Sequence, residues 1–258
     1  MGLPTARESD VIAELRGRAL VDLVRPCLPV DIEVDRPANA WPLVGPGLIA
    51  RQAGTLEAIL TLIPLDREAD ATVLVRSLYE HAVTFAWLAA DPGEERLSRW
   101  VRSDRRQRLE IDDDSRQVGA PLLVPEAREQ YEQTVESLPS DMPNRRQRAE
   151  VADAHWGETI SGLETGTPMS FRGLYATAYR HHSSIAHPSD LGLNRVAVDL
   201  EDGRTRVQLE KRDPEARGPF GLATVIFGLA LLVAAESLGW PTRASIEAVF
   251  DRYQERQQ

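Results

Sequence analysis

A mainly α, single-domain helical bundle of about eight helices with one small β-hairpin is what the 258 residues predict, on three observations. Apolar residues recur near the 3.6-residue period along most of the chain. Proline and glycine cluster between the periodic stretches and rarely inside them. Only around 195–210 does the pattern change to alternation, the period of a strand. The length fits one domain made of a first helix and Pro-rich connector (1–47), core helices (48–190), the hairpin (195–210) and closing helices (219–258).

Taken in order, the first helix is predicted over 5–24, with Val11, Ile12, Leu15, Ala19 and Val24 on one stripe. Pro26, Pro29, Pro37, Pro42 and Pro46 make the next stretch too broken for regular structure. A second helix over 47–63 stops before Pro64, and Asp66 caps a third reaching Ala90, where Asp91-Pro92-Gly93 ends it. That third helix is apolar nearly all round, yet it carries Arg76 and Glu80 beside Val83 and Trp87. Two readings stay open there: an Arg–Glu pair tying helices together, or a polar pocket that Arg76 and Glu80 line with Tyr79 nearby.

The fourth helix, 94–116, brings Arg99, Arg102 and Arg106 onto one ridge. Seven arginines there face seven acids, so the ridge is either a set of phosphate contacts or a solvated, balanced face. Polar amphipathic helices follow over 125–138 and 144–163. Pro168 or Ser170 opens another, which must end at His187 because Pro188 follows. Alternating residues on both sides of Asp202-Gly203 predict the hairpin, and helices over 220–238 and 242–257 finish the chain. The uncharged run 219–235 is at the lower limit of a bilayer span and is expected to be a buried core helix, not a membrane segment.

Composition narrows the function classes. A net charge of -10 argues against promiscuous coating of nucleic acid or anionic membrane, and leaves room for one restricted basic cleft. The single cysteine, Cys27, cannot form an internal disulfide or a cysteine zinc site, which points to a reducing cytoplasm. The charged first twenty residues do not read as a signal peptide. Gly-Lys pairs, Gly-x-Ser-x-Gly, Ser-x-x-Lys, His-Glu-x-x-His and paired Glu-x-x-His are all missing, so no cofactor and no metal site is expected. Gly45-Pro46-Gly47 carries dinucleotide-fingerprint letters, but no predicted strand precedes it.

Three of the five histidines, His181, His182 and His187, crowd the helix that starts at Phe171. At about 100° per residue, Phe171, Leu174, Tyr175, Ala178, His182 and Ile185 form its core stripe, while Arg180, Ser183, Ser184 and His187 share the opposite face. Arg180 and His187 would be separated by roughly 10 Å of axial rise, a gap that long side chains can close. A histidine at the carbonyl end of a helix is suited to proton transfer near neutral pH.

Arg180-His181-His182-Ser183-Ser184-Ile185-Ala186-His187 resembles the Arg-x(4 to 6)-His motif of the HEPN superfamily, and Arg76-Ser77-Leu78-Tyr79-Glu80 resembles uncharacterised bacterial helical proteins thought to be related to it. The resemblance covers 66–188 and implies metal-independent RNA cleavage at a homodimer interface, in which 2′-hydroxyl attack leaves a cyclic phosphate. It implies that Arg180 binds the scissile phosphate and His187 transfers protons; beside them Ser183, Ser184, Arg76, Glu80, Tyr79 and Tyr179 are candidate supporting or ligand-binding residues. Three other readings stay open. Arg180 and His187 can be a surface arginine and a helix-terminal histidine. The chain can be a non-catalytic module binding a partner protein or nucleotide in a bacterial defence or toxin–antitoxin system. Tyr79, Tyr175, Tyr179 and the histidines can also line a small-molecule pocket between helices.

Overall fold

The computed structural model describes residues 6–28, 40–65, 67–138, 141–161, 163, 169–181, 197–199, 205–207 and 219–254, with side chains from residue 11 onward outside His181, Gln254 and the two strands. The chain is mainly helical: α1 (Ala6–Val24), α2 (Trp41–Thr61), α3 (Glu68–Ala89), α4 (Glu94–Gln117), α5 (Pro125–Ser137), α6 (Arg145–Ser161), α7 (Phe171–Leu174, continuing into a π-helical segment Tyr175–His181), α8 (Pro219–Ser237) and α9 (Arg243–Gln254). Two three-residue strands, Ala197–Asp199 and Thr205–Val207, pair antiparallel, with Val198 opposite Arg206. The residues between them, including Asp202 and Gly203, lie outside the described residues. So does Asp66, the cap expected for α3.

The helices fall into two compact units. Unit 1 holds α1, nearly all of α2, α3 and α6 to α9. Its centre is α8, whose Phe220, Ile226, Phe227, Leu231 and Leu232 are all buried. By composition α8 is long and apolar enough to cross a membrane, and so is the segment Trp41–Leu65. In this structure α8 is enclosed by protein, packing mainly on α3 and also on α1, α6 and α9. Burying each large side chain there contributes roughly 1.5–3 kcal/mol. Close approach needs small residues. A Cβ on Gly17 of α1 would stand 2.8 Å from Leu60 and 3.2 Å from the Thr224 hydroxyl. That hydroxyl is shared between the carbonyls of Phe220 (3.0 Å) and Ala13 (3.2 Å), so this seam leaves it satisfied.

One boundary differs from expectation. Helix α2 begins at Trp41, inside the stretch that reads as a broken connector, and contains Pro46. Pro42 stands in the first turn, where an amide hydrogen would have no helical partner, so only Pro46 forfeits an internal bond. Gly54 stands on the exposed side of α2 with nothing within 4 Å of where a Cβ would be. Gly54→Ala is therefore expected to stabilise the protein by about 0.5–1 kcal/mol, measured as a rise in the denaturant midpoint.

Unit 2 is the helical pair α4 and α5. Asp112, completely buried, ties its end together. Its carboxylate accepts Arg116 Nε (2.6 Å), Arg128 Nη1 (2.8 Å) and the amides of Leu122 (2.8 Å) and Leu123 (2.9 Å). Burial alone would raise its pKa, but these four donors outweigh burial and hold it well below the usual carboxylate range. The Arg99, Arg102 and Arg106 ridge is occupied in the same unit. Arg99 pairs with Glu95 at 2.5 Å, and Arg106 with Asp141 at 2.5 Å and Glu110 at 3.2 Å. Arg102 donates to the Val135 carbonyl at 3.1 Å and faces Asp141 at 3.6 Å. Carboxylates and a backbone carbonyl already meet the positive charge of this ridge, so its arginines serve unit 2's own packing.

Candidate functional site

The polar residues of unit 1 that are hardest to explain as surface converge where α3, α6 and α7 meet. Helix α3 is buried along most of its length, so its polar groups must find partners on neighbouring helices. Tyr79 is fully buried and donates its hydroxyl to the Phe171 carbonyl at 2.9 Å. Burial first, then the Asp153 charge, push that phenol well above its ordinary range, so it stays a neutral donor. Thr84 bonds its own helix at the Glu80 carbonyl and accepts from the guanidinium of Arg148.

Helix α6 supplies Arg145, Arg148, Asp153 and Trp156. Arg148, Ala149, Ala152, Trp156 and Ile160 are its buried stripe, spaced as one helical face. The Trp156 indole donates to the Ala86 carbonyl at 2.9 Å and locks α6 on α3. Asp153 accepts the amides of Phe171 (2.7 Å) and Arg172 (2.8 Å), while Ser170 caps Gly173 at 2.9 Å. Three otherwise orphan amides at the start of α7 are thereby satisfied, which fixes that helix against α6.

On this platform α7 presents Tyr175 and Tyr179, whose rings stack at 5.5 Å and 13°. The guanidinium carbons of Arg76 and Arg145 each lie 5.0 Å from the centre of the Tyr179 ring, within cation–π range. Arg76 Nη2 also donates to the Tyr179 hydroxyl at 3.4 Å. Arg145 forms an ion pair with Glu80. The expected Arg–Glu tie between helices thus exists, but it joins Glu80 to Arg145 of α6 while Arg76 turns to Tyr179. Arg148 is 5% exposed; burial first, then the charge of Arg145, push its guanidinium down to about 10 against the pull of Glu80. Among the described residues Arg76 has no carboxylate partner.

The structure therefore brings Arg76, Tyr79, Glu80 and Tyr179 together, as the sequence suggests, and adds Arg145, Arg148, Asp153 and Tyr175. Arg180 is exposed and follows the tyrosine pair directly. Ser183, Ser184 and His187 lie outside the described residues. The π-helical segment changes one premise about them. Hydrogen bonds run i→i+5 from Tyr175 to His181, so the turns are wider and a 100° wheel no longer gives the angle between Arg180 and the residues after it. Single π turns of this kind often mark functional sites. No group of metal-ligating side chains occurs among the described residues.

Residues 44–204 match a family described as a family of unknown function (DUF5677). No curated protein and no solved structure matches the chain.

Proposed function

The chain belongs to this family of unknown function, and from its own side chains we propose that it is a HEPN-like, metal-independent endoribonuclease acting as a cytoplasmic homodimer. One observation carries the reading: Arg180 follows the stacked pair Tyr175 and Tyr179, whose second ring has the guanidinium groups of both Arg76 and Arg145 beside it, with Glu80 paired to Arg145. Aromatic rings with neighbouring guanidinium groups are how proteins hold unstacked RNA. In a protein of net charge -10, this is a local concentration of basic side chains of the sort an acidic nuclease requires.

In this reading Arg180 clamps the scissile phosphate and His187 moves the proton. The 2′-oxygen loses its proton as it bonds to phosphorus, the 5′-oxygen leaves and is protonated, and a 2′,3′-cyclic phosphate remains. We further infer that the paired strands Ala197–Asp199 and Thr205–Val207 form one hairpin closed at Asp202-Gly203, following the motif. The test is cleavage of single-stranded RNA in the presence of chelator. The parent protein is expected to yield cyclic-phosphate ends, while His187→Ala and Arg180→Ala each lower the rate by at least about a hundredfold with unchanged helical circular dichroism. RNA bound without turnover would instead support a non-catalytic binding module. Unchanged cleavage by His187→Ala would sink the nuclease assignment.

A further inference from the structure

We infer that Arg76 and Arg145 form a binding site for the phosphate of a nucleotide, and that Glu80 is an internal counter-anion which the phosphate displaces from Arg145. The nucleotide is either free or the end of an RNA strand, the shared chemistry being a nucleoside phosphate. The inference deepens the proposed function and rests on it only for the source of that nucleotide.

Charge and geometry both point this way. Two guanidinium groups from different helices each lie 5.0 Å from the centre of one ring, so they stand no more than about 10 Å apart. Like charges held this close need an anion between or beside them. Among the described residues the carboxylate paired with these two arginines is Glu80, and it goes to Arg145, while Arg76 has none. Behind them Arg148, held by Thr84, adds a third buried guanidinium, its pKa pushed down by burial first and then by the charge of Arg145.

A phosphate dianion matches this excess better than one carboxylate does, and both guanidinium groups can meet it with paired donors. The exchange is accessible. The Arg145 side chain is 43% exposed and that of Glu80 28%, with its paired oxygen buried, so an incoming anion reaches the pair from the Arg145 side. Tyr175, stacked on Tyr179 and partly exposed, then offers a flat surface for the base.

Isothermal titration of the full chain with adenosine 5′-monophosphate, adenosine, inorganic phosphate and a 5′-phosphorylated tetraribonucleotide tests this. Adenosine 5′-monophosphate is expected to bind at least about tenfold more tightly than adenosine, and Arg76→Gln and Arg145→Gln each to weaken it by about tenfold or more. Glu80→Gln is expected to tighten it several-fold, because the competing charge has gone; a merely structural Glu80 would give the opposite sign. Should a Gln variant lose its helical circular dichroism, Arg76→Lys and Arg145→Lys decide, since they keep the charge but lose the fork and are expected to give an intermediate loss.

Tighter binding of the tetranucleotide places the source in RNA, and tighter binding of the mononucleotide places it in a free nucleotide. Equal affinity for adenosine and its monophosphate, binding of phosphate as tight as that of the nucleotide, or weaker binding by folded Glu80→Gln overturns the inference. Binding needs no turnover. A chain that binds the nucleotide yet leaves RNA intact therefore defeats the nuclease reading and spares this one.

Discussion

Asp112→Asn is expected to loosen the end of the α4 and α5 pair and to lower the thermal midpoint of unit 2 by roughly 10 °C. The carboxylate is fully buried and accepts four hydrogen bonds, two from guanidinium groups and two from the Leu122 and Leu123 amides. An asparagine is nearly isosteric, but its amide nitrogen donates where the site presents only donors. It also removes the charge that Arg116 and Arg128 share, and Arg128 would keep only its exposed-side partners Asp113 and Glu132.

The same site fixes the sign of a pH effect. The folded-state pKa of Asp112 lies below its unfolded value, so its contribution is complete above the ordinary aspartate range near about 4 and is lost as pH falls toward the folded value. Melts between about pH 5 and pH 2.5 should show the parent's stability falling more steeply than that of Asp112→Asn. Limited proteolysis should cut the variant sooner within 118–124, where Val118, Leu122 and Val124 are exposed and backbone order depends on Asp112. Parallel pH profiles and equal cleavage rates would remove the clamp from the account.

Asp112 also shows where a sequence reading stops. Its neighbours Asp113 and Asp114 make it look like one of three solvated acids. Arg116 is one helical turn away, but the other partners, the Leu122 and Leu123 amides and Arg128, are ten to sixteen residues away across a turn, so neither helical period nor charge count reveals them. Helix existence was legible because burial of one face imposes a period, and the ends marked by Ser170 or Asp91-Pro92-Gly93 were legible because caps have specific chemistry. The start of α2 was not, since prolines in a first turn look the same in sequence as prolines in a loop.

At the candidate site, Arg76, Glu80, Tyr79 and Tyr179 stood out as polar residues on apolar faces. Arg148 did not: Arg145, Arg146 and Arg148 are equivalent in sequence, and only the packing of α6 on α3 buries the third of them. The π turn of α7 was equally hidden, because an i→i+5 bond pattern leaves no compositional trace. Asp112 and Arg148 share a cause: each is buried by contacts that local pattern does not encode.

Gly228→Val is expected to destabilise unit 1 by roughly 3 kcal/mol or more, read as a lower denaturant midpoint at unchanged slope. In isolation the change looks favourable, since a glycine inside a helix costs about 1 kcal/mol relative to alanine and the residues flanking Gly228 in α8, Phe227 and Leu229, are apolar. Packing reverses the sign. A Cβ at Gly228 would stand 2.7 and 2.8 Å from two carbons of the Phe250 ring and 3.6 Å from Leu163. The ring has little freedom to retreat. It is 1% exposed, the Arg16 guanidinium lies over it at 4.7 Å, and the Phe250 carbonyl accepts Arg16 Nη2 at 3.3 Å. Moving Phe250 would therefore disturb α1 as well as α9, and burial already pushes the Arg16 guanidinium below its ordinary pKa. Phe250→Leu should recover part of the loss in a Gly228→Ala background, giving a non-additive cycle that distant sites do not produce. Strict additivity of the two changes, or a Gly228→Val protein as stable as the parent, would show that α8 and α9 are not held apart by this one hydrogen atom. The contrast with Gly54, where no neighbour lies within 4 Å, isolates the cause: two helical glycines with the same backbone propensity are expected to respond with opposite sign because only one is pressed against a ring.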